Sequence, residues 1–88
     1  MIKTAFITGA TSGIGKATAL LFAENNIRLI LCGRRKERLQ ELQKEVSKKT
    51  AVTTLQFDVS NKEAVFKAIE NLPEEFKQID ILINTRMM

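Results

Sequence analysis

The residues with the clearest chemical potential lie in one short stretch, Thr8-Gly9-Ala10-Thr11-Ser12-Gly13-Ile14-Gly15. Glycines at 9, 13 and 15 let a chain turn tightly, bring backbone N–H groups close to an anion, and open a helix whose positive end faces the same point. A pyrophosphate suits such a turn, and Thr11 and Ser12 add hydroxyl donors. The bland alternative is a plain strand-to-helix turn of small residues. Gly15-Lys16 also invites comparison with the triphosphate loop G-x-x-x-x-G-K-[ST], which fails on two counts. Five residues separate Gly9 from Gly15, and Ala17 stands where a magnesium-binding hydroxyl belongs.

A second group, Gly33-Arg34-Arg35, falls at the end of the next apolar run. Sites that prefer NAD place a carboxylate there to accept hydrogen bonds from the adenosine ribose hydroxyls. No acid is present; instead the guanidinium forks of Arg34 and Arg35 match a phosphate on the ribose 2′ position. The cofactor implied is NADP(H). The alternative, two exposed arginines that merely open a helix, puts cations where the helix dipole disfavours them. Cys32 reads as a small packed hydrophobe, because nothing beside it marks an activated thiol. The chain contains neither Tyr nor His, so two common proton-transferring side chains are missing from it.

These residues need elements to hold them. Ala5–Ile7 is a short apolar run closed by Thr8-Gly9 and reads as a buried strand. Ile14, Ala17, Thr18, Leu21 and Phe22 recur at helical spacing, and Asn25-Asn26 supplies a stop. Ile27–Cys32 is nearly continuously apolar, the form of a parallel strand covered on both faces. Leu39, Leu42 and Val46 mark one stripe of a charged helix from about Arg35 to Lys48. Val52–Phe57 is a third strand. Ser60 with Glu63 has capping-box spacing ahead of a helix carrying Ala64, Val65, Ala68, Ile69 and Leu72, closed by Pro73. Ile79–Ile83, interrupted by Asp80 and ending at Asn84, is the fourth strand. Strands alternating with helices predict an α/β fold, a Rossmann-type parallel sheet with helices on both faces.

An 88-residue chain is sufficient for one small domain, 1–88, of marginal stability. Its composition, 44% hydrophobic and 27% charged, is that of a packed globular protein. No apolar run approaches a membrane span, which argues against a membrane role. One cysteine cannot form an internal bridge, and the N-terminus lacks a signal-peptide pattern, so a cytoplasmic location is expected. The net charge of +4 is densest at Arg34, Arg35, Lys36 and Arg38, which suits an anionic ligand. Without Tyr or Trp there is no full stacking platform, and a nucleic-acid partner is not expected.

With these motifs in hand, the chain resembles the classical short-chain dehydrogenase/reductase family, whose first turn reads T-G-x-x-x-G-x-G. Gly33-Arg34-Arg35 with Leu39 is similar to the family's NADP-preferring branch, and Asp58-Val59 matches the position where the family holds the adenine ring. Leu72–Phe76 running into Ile79–Asn84 looks most like bacterial serine or 3-hydroxy acid dehydrogenases. The resemblance implies a strand order 3-2-1-4 and cofactor contacts from Gly9, Thr11, Ser12, Gly13, Ile14, Gly15, Arg34, Arg35, Asp58, Val59 and Asn84. It implies hydride exchange between NADP(H) and an alcohol or carbonyl substrate. It breaks after Asn84, and the Ser, Tyr and Lys that carry the family's chemistry have no counterparts here. The expectation is therefore a truncated, NADP(H)-binding half that is catalytically incomplete. A second expectation is a non-catalytic assembly module, a homo-oligomer formed through the uncovered fourth strand.

Overall fold

The computed structural model of the chain describes residues 2–56 and 62–84. Within them the elements alternate: β1 (Thr4–Thr8), α1 (Gly13–Glu24), β2 (Arg28–Gly33), α2 (Lys36–Val46), β3 (Val52–Gln56), α3 (Lys62–Glu70), a 3₁₀ turn (Glu74–Phe76) and β4 (Ile81–Asn84). The strands form one parallel sheet in the order β3-β2-β1-β4, as expected. Ile7 lies opposite Leu31 on one side and Ile83 on the other, so the two central strands and β4 are in register at their C-terminal ends.

Because side chains alternate across a strand, β1 and β2 feed two cores. Ala5, Ile7, Leu29 and Leu31 pack on one face with Ala19 and Ala23 of α1 and Leu39, Leu42 and Val46 of α2. Phe6, Ile30 and Cys32 pack on the other with Leu72 and Phe76, while Ile69 of α3 and Ile79 lie against them half-buried. Helical segments thus cover both faces. The second face is the thinner one: no described residue of α3 is fully buried, and its Phe66 is 67% exposed.

Two expectations need correcting. Of the expected α1 stripe, Ile14 and Leu21 are 56% and 57% exposed and Ala17 is exposed, while Thr18 and Phe22 are half-buried and Phe22 packs against the core. The face against the sheet is Gly15, Ala19 and Ala23, spaced four apart. Small side chains there let the helix axis approach the strands closely, which a count of large apolar residues does not detect. After Pro73, on which sequence made no structural prediction, Phe76 is buried below the sheet and Arg28 Nη1 donates to the Glu75 carbonyl at 2.8 Å. Finally, β4 begins at Ile81 rather than Ile79. Asp80 Oδ2 accepts from the Thr4 amide at 3.0 Å, and the Asp80 amide donates to the Thr4 carbonyl at 2.9 Å.

The stop at Asn25-Asn26 is a Schellman arrangement: Asn26 has φ 60°, its amide donates to Ala23 O, and the Ile27 amide donates to Phe22 O. Ser60 and the end of the third expected strand, Phe57, lie outside the described residues. No helix among the described residues is long and apolar enough to cross a membrane.

Candidate functional site

The turn from Thr8 to Gly15 leaves the C-terminal end of β1 and enters α1, at the end of the sheet where the order reverses between β2 and β4. Ligands of open parallel sheets bind at that kind of place. Gly9 has φ 62°, a left-handed conformation that glycine adopts without strain. The amide of Ala10 donates to the Cys32 carbonyl at 3.0 Å and ties the turn to β2. Ser12 is the N-cap of α1. Its Oγ accepts from the Gly15 amide at 3.1 Å and donates to the Gly9 carbonyl at 2.8 Å, so one side chain closes the turn and caps the helix.

The glycines then divide by purpose. A Cβ on Gly15 would run into the Gly9 carbonyl oxygen and lie 2.9 Å from Ala10 Cα; this glycine exists for the fold. A Cβ on Gly13 would meet nothing within 4 Å. Protein packing gives no reason for a glycine at that position. No acceptor among the described residues takes the amides of Gly13 and Ile14, the first two of α1. The turn therefore offers open space at Gly13 and two amide donors, as a phosphate needs.

Arg34 and Arg35 lie at the end of β2, exposed, with Arg35 as the N-cap of α2 but making no side-chain capping bond. Gln56 Nε2 donates to the Arg34 carbonyl at 3.3 Å and fixes the backbone there, not the guanidinium. Asn84, at the end of β4, accepts from Thr8 Oγ1 at 3.0 Å, which places it beside the turn. Asp58 and Val59 lie outside the described residues. The structure thus brings together Gly9, Thr11, Ser12, Gly13, Ile14, Gly15 and Asn84 at one sheet end, with Arg34 and Arg35 at the neighbouring strand end.

An open cavity of about 550 Å³ adjoins the turn between α1 and α2, lined by Thr11, Lys16, Arg38, Glu41, Leu42 and residues further along α2. Sequence reading set Lys16 aside with the rejected triphosphate loop and counted Arg38 only as part of a charged run. Their joint placement is visible once α1 and α2 lie side by side. Cys32 is fully buried and desolvation pushes its thiol up to about 12, so it is no nucleophile. Among the described residues no cluster of His, Cys, Asp and Glu is placed to hold a metal.

A family model for short chain dehydrogenases matches residues 3–86. The chain belongs to the short chain dehydrogenase family. It is 46% identical over 84 residues to sulfoacetaldehyde reductase 2 of Chromohalobacter salexigens and 45% identical over 84 residues to serine 3-dehydrogenase of Rhizobium radiobacter. Each alignment covers 96% of this chain and 33% of the relative, so the chain spans about a third of the length of these curated relatives. The NADP-dependent 3-hydroxy acid dehydrogenase of Schizosaccharomyces pombe is 46% identical over 85 residues, covering 93% of this chain and 33% of that protein. These names bear out the expected likeness to serine and 3-hydroxy acid dehydrogenases.

Solved structures agree on the fold. L-sorbose reductase of Gluconobacter frateurii, complexed with NADPH and L-sorbose, superposes with TM-score 0.89 at 34% identity, over 99% of this chain and 34% of that one. An NAD⁺-bound xylitol dehydrogenase superposes with TM-score 0.85 at 32% identity, over 91% of this chain and 31% of that one. The fold therefore serves both dinucleotides.

Proposed function

We propose that this chain forms the adenosine- and pyrophosphate-binding half of an NADP(H)-dependent short chain dehydrogenase. The observation that supports it most is Gly13, a glycine that the protein's own packing does not require, set between two amides without acceptors at the start of α1. In this reading the amides of Gly13 and Ile14 take the pyrophosphate, with Gly9 and Gly15 shaping the turn, Ser12 beside it holding that shape, and Thr11 at its flank. Arg34 and Arg35 stand toward the 2′-phosphate, Asn84 toward the ribose, and Asp58 and Val59 toward the adenine.

When bound, the nicotinamide dinucleotide supplies or accepts hydride against an alcohol or carbonyl. The residues named here hold its adenosine end and take no part in proton transfer. These 88 residues contain no tyrosine, so the proposal assigns them cofactor binding and leaves the chain itself catalytically incomplete. Since related folds hold NADPH in one case and NAD⁺ in another, the preference for NADP(H) rests on the two arginines and the absence of an acid at the end of β2. The same reading places the protein in the cytoplasm, where a buried thiol stays reduced.

Titration of the chain with NADP⁺ and NAD⁺, followed by heat and by thermal stabilisation, tests the proposal. Preference for NADP⁺ that is lost in an Arg34→Ala/Arg35→Ala variant supports it. A folded sample stabilised by neither cofactor refutes it.

A second reading, a self-associating module, has its own supporting observation. Among the described residues β4 pairs only with β1, and its Leu82 is 69% exposed on the thinly covered face. An apolar strand with one unpaired edge invites edge pairing between copies. Light scattering at high concentration decides this reading: a homo-oligomer reduced to monomer by Leu82→Lys supports it, and a wild-type monomer refutes it.

A further inference from the structure

Apart from Ile2, the large apolar side chains left exposed among the described residues are Ile14 and Leu21 of α1, Phe66 of α3 and Leu82 of β4. At about 100° per residue, Ile14, Leu21 and the half-buried Phe22 all lie about 120–160° round α1 from Lys16, which lines the cavity between α1 and α2. They are therefore on the flank of α1 turned away from α2. Because α2 packs on β2 and β3 while α1 packs on β1 and β2, that flank overlooks β4. On β4 itself Ile81 and Ile83 turn to the α1 side, half-buried against that core. Leu82, in register with Phe6, turns to the α3 side. Among the described residues no helix lies along β4 on either face. The strand thus has an open edge and, beside it, an apolar slot on each face.

An occupant has to satisfy the edge and both slots together. A second copy meets the edge alone. If two β4 strands pair about a two-fold axis, α1 and its copy stand about four strand spacings apart, or about 19 Å, whereas packed helices need only about 8–10 Å. A channel about one helix wide then stays open on the α1 face, with Ile81, Ile83 and Leu21 along it. A unit that presents a parallel strand with helices on both faces fills edge and slots at once, since crossover helices of a parallel sheet return over its faces. The solved structures that share this fold are chains about three times as long, so they have room for such a unit.

We propose that β4 and its two slots form a docking surface for a second α/β unit, the part of a short chain dehydrogenase that this chain does not span, and that this unit docks without a covalent link. Its strand pairs parallel to β4, one helix covers Leu21, Phe22, Ile81 and Ile83, and another covers Phe66 and Leu82. The docking surface follows from the fold and the family and holds whether or not the glycine turn takes a nucleotide, which titration of the chain alone reads separately.

The experiment co-expresses this chain, carrying an affinity tag, with a fragment of sulfoacetaldehyde reductase 2 of Chromohalobacter salexigens from which the third aligned with this chain has been removed. Affinity purification followed by light scattering reads the mass of what elutes, and dilution of the purified complex gives its dissociation constant. A one-to-one complex is expected. Leu21→Lys, Phe66→Lys and Leu82→Lys each put a charge in a slot and weaken the complex at least about tenfold, the loss expected when one large apolar side chain is no longer buried. All three positions are exposed, so the variants keep the fold, and thermal melts of the free chains record it. Gln40→Lys, at an exposed site on α2 toward the other edge of the sheet, leaves the complex unchanged.

A fragment that stays insoluble beside the chain, or a soluble fragment that elutes without it, overturns the proposal. A complex that all three lysine variants leave intact overturns it too, because the contact then lies elsewhere on the chain. A chain that elutes as a homo-oligomer free of the fragment overturns it in favour of pairing between copies.

Discussion

Replacing Gly13 by alanine separates what the fold needs from what the ligand needs. Gly13 is the first residue of α1, directly after the Ser12 cap, and it is not in the left-handed region; a Cβ there meets nothing within 4 Å. In the free chain the methyl group has nowhere to clash and lowers the entropy of the unfolded state. Alanine exceeds glycine in a helix interior by roughly 0.5–1 kcal/mol. At the first helical position about half of that is a fair expectation. For a domain of this size it raises Tm by about 1–4 °C. The same methyl occupies the space that a phosphate needs to reach the Gly13 and Ile14 amides. Losing one charge-assisted hydrogen bond costs about 1.5–3 kcal/mol, so the Kd for NADP⁺ rises roughly tenfold to a hundredfold. Differential scanning fluorimetry without ligand and calorimetric titration with it give both numbers from one preparation. A variant that is more stable and binds NADP⁺ as tightly as the wild type would show that no phosphate approaches Gly13, and the reasoning from its empty surroundings would fail.

Gly15→Ala should behave in the opposite way. Its Cβ meets backbone atoms that cannot move alone, so stability drops by about 2–4 kcal/mol in urea denaturation, in line with overpacking and forced backbone shifts. Ser12→Ala removes the acceptor for the Gly15 amide and should lower stability by about 1 kcal/mol in the same assay. Cys32 makes stability fall in alkali: its folded pKa of about 12 exceeds the ordinary 9.0, so the folded chain keeps the proton that the unfolded chain releases. Its contribution is intact below pH 9 and is lost between pH 9 and about 12 at about 1.4 kcal/mol per pH unit, a slope that Cys32→Ala removes from the denaturation profile. At pH 8 the native thiol should react with a thiol reagent only as fast as the chain opens.

Most of the architecture was legible because its signals are local. A three-residue apolar run closed by Thr8-Gly9, or a continuous run such as Leu29–Cys32, has few solutions other than a buried strand. The phosphate turn was legible for the same reason, since glycine positions report backbone needs directly. The misread elements are those where distance matters more than hydrophobicity. Ile14 and Leu21 outweigh Gly15, Ala19 and Ala23 on any apolar scale, yet the small residues are the ones that touch the sheet. Phe76 follows a proline that closes a helix, and its burial with Phe6 and Ile30, together with the Arg28–Glu75 bond, holds the chain folded back beneath the sheet. Asp80 looked like an interruption of the last strand, but its carboxylate serves the Thr4 amide. Lys16 and Arg38 stand far apart in sequence, and no spacing rule predicts the cavity they share.

The position of β4 has a consequence for how the chain is made. The backbone of Thr4 and the carboxylate of Asp80 that it meets are separated by 76 positions, and β1 gains its second neighbour only from residues 81–84. Closing so long a loop costs chain entropy before any contact across it repays that cost. During synthesis β1 and β2 can pair early, with α1 as the crossover, while the other edge of β1 waits open. Of these four strands the one made last is thus the one that seals the first, and mutations that weaken the Thr4–Asp80 clamp should slow the docking of β4, after β1 and β2 have paired.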